Sequence, residues 1–205
     1  MQIDQANADH LLTTTRAVRK RLDLKRPVPR QLIIDCVRIS QQAPTASDSQ
    51  TWCWVIVDEP AKRTALAKIY QDLLGEGIEQ ALAHASTPEI KRLYESAKYL
   101  RDHLHEVPVL VVPCIGERET IGQDAAFFAS IYPAIWSFQL ALRARGLGSA
   151  LTTAHLMREA EVAKLLGIPK GIAQAALLPV AYTVGTDFKP ANRPPPESII
   201  HWNGW

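Results

Sequence analysis

Ala125 to Leu142 reads AAFFASIYPAIWSFQLAL and contains no charged side chain. A run this long and apolar must be covered by lipid, by the rest of the chain or by a second copy of it. Ser130, Tyr132, Pro133, Ser137 and Gln139 interrupt it, and it stands alone. The reading is therefore a buried central helix or one at a subunit interface, with no membrane association. Asp124 can cap its start. Gly146 ends it, because a glycine accepts the left-handed conformation found there.

The rest of the chain supplies layers to pack on such a helix. Apolar residues recur at helical spacing from Arg30 to Gln42 through Leu32, Ile33, Cys36, Val37 and Ser40. Further helices are expected from about Asp4 to Thr14, over 88–105 and from Leu156 to Leu166. Another begins at Pro60 and runs toward Leu74, where Gly75 and Gly77 end or break it. Thr51 to Val57 is a strand candidate, and VPVLVVPCI from Val107 is a short β-branched run that suits a buried strand. SALTT is short and strand-like. Ala173 to Val184 is apolar, with Pro179 as a defect. The pattern is about six helices around one mixed sheet of four or five strands. The 205 residues show no repeat, linker or low-complexity block, so a single domain spanning 1–205 is expected. Its tail, from about 186 to 205, is proline-rich yet ends with Ile199, Ile200, Trp202 and Trp205, which suits packing on a second subunit.

Composition narrows the function. A formal net charge of +2 argues against wholesale binding to nucleic acid. Cys36, Cys53 and Cys114 form no CxxC pair, which suits small buried thiols in a reducing compartment. The polar start MQIDQANADH lacks a signal-peptide core, so a cytoplasmic location is expected. There is no GxxxxGK[ST] loop and no GxSxG elbow. GLGSAL places Leu151 where GxGxxG needs its last glycine. His103 and His105 fall on different sides of a helix and suit a solvated polar face better than a metal site.

Two stretches carry possible chemistry. In TTTRAVRKR, a helical turn would set the guanidinia of Arg16 and Arg19 on one side, where they could grip a phosphate. A solvated basic connector explains the same residues equally well. Arg193, in the tail, is surface charge by itself, but with Arg16 and Arg19 it suggests one anion held from both ends of the chain. Gln41 to Trp52, QQAPTASDSQTW, holds more hydroxyl, acid and amide groups than a turn requires. They suit hydrogen bonding to a flat polar ligand, or a capped, solvated loop.

TTRAVRK, APTASDSQTW, GLGSALTT and an arginine in a proline-rich tail occur in the order and spacing of the FMN-dependent nitroreductases, NAD(P)H-dependent flavin oxidoreductases, and the chain resembles that family over nearly its whole length. The resemblance implies an α+β fold: a nitroreductase-like three-layer α/β/α sandwich with a mixed, mainly antiparallel sheet, in a domain-exchanged homodimer. Two FMN sites would lie at the interface, each built from both chains, with the tail wrapping the partner. By resemblance, Arg16, Ala17 and Arg19 contact the phosphate and pyrimidine, and Arg193 closes on the phosphate. Pro44, Thr45, Ser47 and Asp48 reach the flavin bound mainly by the partner. Leu151, Thr152 and Thr153 line the isoalloxazine edge, with a backbone N–H near Thr153 as donor to N5. Asp48 stands where the family usually has Asn, Thr45 replaces Ser, Thr51 replaces Pro and Ala17 replaces Ser.

The implied activity is ping-pong hydride transfer. NADH or NADPH reduces the flavin and leaves; a small-molecule acceptor such as a nitroaromatic or a quinone then takes the same face. The cofactor supplies the reactive centre, so no protein nucleophile, catalytic side chain or metal is required. Within the family, a dehalogenase or a flavin-degrading enzyme is an alternative, with 75–101 as a possible substrate lid. Outside enzymology, the alternative is a protein that binds or sequesters flavin.

Overall fold

The computed structural model describes residues 4–116 and 124–205. Its centre is a five-stranded sheet built from β1 (Trp52–Val57), β2 (Val109–Ile115), β3 (Leu147–Ser149), β4 (Ala173–Gln174) and β5 (Leu178–Tyr182). The order is β1-β2-β5-β3, and β4 also pairs with β2. All ladders between these strands are antiparallel. A parallel bridge between Ala17 and Ser149 makes the sheet mixed.

Every residue of β2 is buried, because helices cover both of its faces. Seven α-helices lie among the described residues: α1 (Gln5–Thr14), α2 (Arg30–Ser40), α3 (Pro60–Ala83), α4 (Pro88–His103), α5 (Asp124–Ala129), α6 (Tyr132–Arg143) and α7 (Glu159–Leu166). Alternation along β2 feeds two cores. Leu110, Val112 and Cys114 meet Leu66 and Tyr70 of α3, Leu100 of α4 and Val162 of α7. Val109, Val111 and Ile115 meet Ile33 and Cys36 of α2 and Ile135, Phe138 and Leu142 of α6. This is the three-layer α/β/α arrangement that the family resemblance implies.

Four local expectations need correction. Gly75 and Gly77 do not stop α3, which runs for 24 residues. A mid-helix glycine costs only about 1 kcal/mol. Here Arg101 spans the site, donating to the Gly75 carbonyl at 3.0 Å and to Glu79 at 2.9 Å, while Ile78 is buried beyond it. The apolar run is divided between α5 and α6, with Pro133 in the first turn of the second. Ala125–Arg143 is long and apolar enough to cross a membrane by length and composition. In the fold, α6 packs on α2 and β3 and holds its polar Gln139 inside, donating to the Ser149 hydroxyl at 2.9 Å. Tyr132 and Trp136 stay exposed on its other side. The side chain of Asp124, expected to cap, lies outside the described residues.

The third correction concerns 173–184. The strand breaks between β4 and β5, and Pro179 sits inside β5 opposite Leu110. It is tolerated because β3 pairs with β5 only at Val180–Tyr182, so no neighbour on that side needs a proline N–H. The fourth concerns the thiols. Cys36 and Cys114 are buried, but Cys53 is exposed on the edge strand β1.

Candidate functional site

The segment after α1 is not helical. It runs beside β3: Val18 donates its N–H to the Ser149 carbonyl at 2.8 Å, and Leu22 bridges Thr183. Arg16 and Arg19 therefore flank an extended stretch whose Val18 points into the core. The helical turn expected to set both guanidinia on one side is absent, and pairing with β3 fixes the segment instead. Gly148 makes it possible. A Cβ at that position would lie 2.8 Å from Thr183 Cγ2 and 2.9 Å from Val18 Cβ, distances that side chains do not reach. Gly146, with φ +75°, supplies the left-handed turn before β3.

The basic residues have divided tasks. Arg21 donates to the carbonyls of Val184 (2.9 Å) and Asp187 (2.8 Å) and stacks on Phe188. Lys20 pairs with Glu95 of α4 at 3.6 Å. The guanidinia of Arg16 and Arg19 make neither an ion pair nor a hydrogen bond among the described residues. Both are half-buried, and Ala17 between them is exposed.

Beyond β3, Leu151 to Thr153 follow as an exposed ledge, with Leu151 40% exposed. Thr152 anchors it: its N–H and hydroxyl both donate to the Leu177 carbonyl, at 3.1 and 3.0 Å, and its own carbonyl accepts from Leu177. The exposed Thr153 opens the short helical turn Ala154–Arg158, and its backbone N–H takes no acceptor among the described residues. Tyr70 of α3 lies behind this ledge, 5% exposed. Burial raises its phenol pKa, while the Thr152 side chain and the Arg19 charge pull it down. One buried phenol thus lies near both site segments. Sequence alone gives no sign of it, since a tyrosine at helical spacing reads as core.

His155, two residues on, is fully buried, and neither ring nitrogen has a hydrogen-bond partner among the described residues. Burial lowers its pKa to about 4, so the ring is neutral at pH 7.

Pro44, Thr45, Ser47 and Asp48 lie elsewhere, on the loop between α2 and β1. The loop touches α5, and Ala46 donates its N–H to the Ser130 hydroxyl at 3.0 Å. Ser47, Asp48 and Gln50 all have positive φ, at 53°, 52° and 49°. Non-glycine residues pay about 1–2 kcal/mol each for that conformation. Gln50 donates to Asp48 Oδ1 at 2.7 Å and, through its N–H, to Thr45 Oγ1 at 3.2 Å. No hydrogen bond or ion pair links this loop to Arg16, Arg19 or Leu151–Thr153 among the described residues. Arg193 is exposed on the tail and likewise takes no partner there. A single chain therefore unites two of the four sequence-derived segments and leaves two outside.

The family model for the nitroreductase family matches residues 12–185. The chain belongs to the nitroreductase family. It is 28% identical to a NADH dehydrogenase of Thermus thermophilus, over 94% of this chain and 97% of that one. It is 24% identical to an iodotyrosine deiodinase of Thermotoga neapolitana, over 94% and 96%. Among solved structures, an oxidised iodotyrosine deiodinase bound to FMN and 3-iodo-L-tyrosine superposes with a TM-score of 0.73 at 20% identity, covering 95% of this chain and 98% of that one. That likeness extends the match to the whole three-layer fold.

Proposed function

We propose that this nitroreductase-family chain is an FMN-dependent NAD(P)H oxidoreductase acting on nitroaromatics, quinones or similar small acceptors. The observation that carries the reading is the pair Arg16 and Arg19, uncommitted within the chain and held against Leu147–Thr153 by a contact that only Gly148 permits. Bound FMN supplies hydride exchange between a nicotinamide and an oxidant.

The residues present fit that cofactor. Two guanidinia without internal partners suit a phosphate dianion. The exposed Leu151 side chain offers apolar surface to a ring, and the Thr153 N–H offers a donor at its edge. Thr152, fixed to Leu177, keeps that donor in place. Tyr70, behind Thr152 and Arg19, closes the interior side to water. The site is completed by a second copy: the exposed Pro44–Asp48 loop and Arg193 reach across a homodimer interface, and exposed Ile34, Ile39, Tyr132 and Trp136 form its apolar part. The tail, with Trp202 85% exposed, wraps the partner.

Two measurements test this. The purified protein should show oxidised-flavin absorption near one FMN per chain and run as a dimer. NADH or NADPH should then be consumed with menadione or a nitroaromatic. A colourless monomer that ignores added FMN would refute the cofactor reading. The likeness to iodotyrosine deiodinases favours a second reading, reductive dehalogenation. Iodide release from 3-iodo-L-tyrosine, with slow turnover of quinones, would select it. Flavin bound stoichiometrically but reduced slowly by both nicotinamides would instead indicate a flavin-binding role.

A further inference from the structure

The C-terminal tail leaves the body at one point. Phe188 still packs against a core cluster, whereas from Asn192 to Trp205 every residue of the single chain is exposed. The stretch that leads to this point, Val184 to Phe188, belongs to neither sheet nor helix. Its carbonyls need donors from elsewhere, and two arginines supply them. Arg21 donates through Nε to the Val184 carbonyl at 2.9 Å and through Nη1 to the Asp187 carbonyl at 2.8 Å. Arg143, the last residue of α6, donates through Nη2 to the Thr186 carbonyl at 3.3 Å. The Val184 N–H returns a bond to the Arg21 carbonyl at 2.8 Å.

Both guanidinia also lie over the Phe188 ring, with Cζ 4.0 Å (Arg21) and 4.6 Å (Arg143) from its centroid. Neither pairs with a carboxylate among the described residues. The negative face of the ring and the three carbonyls are what offset two like charges held close together. An aliphatic side chain at this position would fill the space without that attraction. Gly185 makes room for the arrangement. Its φ is +74°, and a Cβ there would stand 2.9 Å from Arg21 Nη2. Another residue would strain the backbone and push the guanidinium off its acceptors.

Arg21 ties this root to the cofactor segment. It lies two residues beyond Arg19, and its neighbour Leu22 bridges Thr183. Arg193 follows Phe188 by five residues, a length that spans at most about 18 Å. A fixed root confines where Arg193 can arrive. A loose root would leave it a larger volume to search, and ordering it would cost affinity.

We propose that Arg21, Arg143 and Phe188 are positioning residues for the tail: they hold its root so that Arg193 is delivered to the FMN phosphate. The inference rests on the flavin reading above. The three residues act through Arg193, so the contact they support is with the phosphate and not with the ring. Every contact in the clamp lies within one chain, so the tail carries it intact into the homodimer.

The test strips the full-length protein of flavin and titrates it with FMN and with riboflavin, the same ring without the phosphate, by flavin fluorescence. The variants are Phe188→Leu, which keeps an apolar side chain, Arg143→Gln, on a different element from Arg16 and Arg19, and Arg193→Gln. Each should raise the FMN dissociation constant about tenfold and leave that for riboflavin unchanged. Arg193→Gln combined with either clamp variant should bind FMN no more weakly than Arg193→Gln alone, since all act through one contact. Wild-type FMN affinity in both Phe188→Leu and Arg143→Gln, equal losses for FMN and riboflavin, or additive losses with Arg193→Gln would each overturn the proposal while the flavin reading stands. A wild-type chain that binds neither flavin would overturn both.

Discussion

The two halves of the candidate site are built differently. The Arg16–Arg19 segment and the Leu147–Thr153 stretch are locked to the sheet by backbone bonds, a buried Val18 and an obligatory Gly148. The Pro44–Gln50 loop has three left-handed residues, a few local hydrogen bonds and an exposed surface. The first half is finished within one chain. The second carries strain without the burial that normally sustains it, a pattern found where a further molecule completes a site.

The largest expected effect tests the closed interior of the first half. His155 has its pKa lowered from 6.5 to about 4. The folded state therefore binds fewer protons than the unfolded state between those values. Stability is full above pH 6.5 and declines as pH falls toward 4, by about 3 kcal/mol. His155→Leu should remove that decline, seen as urea midpoints that no longer drop over the window; an unchanged slope would mean that the ring is not closed off. Gly148→Ala should cost about 2 kcal/mol through the clash with Val18 and Thr183, and weaken FMN binding in a fluorescence titration. Wild-type stability and affinity in this variant would break the claim that β3 holds the arginines.

Relief of the loop is smaller. Ser47→Gly should stabilise an isolated chain by about 0.5 kcal/mol, the left-handed cost less glycine's entropy. It should also lower FMN affinity if the loop is preorganised for a ligand. Destabilisation would make the loop an ordinary packed turn. Asp48→Asn should hardly change the melting temperature. An Asp carboxylate disfavours added negative charge nearby, so its removal should raise the flavin midpoint potential, read by dye equilibration. A lower or unchanged value would separate Asp48 from the cofactor.

The helix and sheet layers were legible in the sequence because the apolar residues of α2 recur at helical spacing and β2 is an unbroken apolar run. The finished half was legible only as a resemblance. Its physical cause, Val18 pressed on Gly148, joins residues far apart in the chain and leaves no local signature. In TTTRAVRKR, nothing local separates Arg21, bound to Val184 and Asp187, from the uncommitted Arg16 and Arg19. The left-handed residues of the loop escaped notice because Ser, Asp and Gln occupy positions where glycine would have advertised the turn. The α3 extension was missed because the support that offsets its glycines comes from Arg101, on another helix.

That extension has a mechanical consequence. At 1.5 Å per residue, α3 is a rod about 36 Å long, with Tyr70 near its middle and Glu79 near its far end, where Lys98 and Arg101 clamp it to α4. Gly75 and Gly77 lie between those two positions, so it is Arg101, bonded to the Gly75 carbonyl and to Glu79, that carries the rod across its weakest turn.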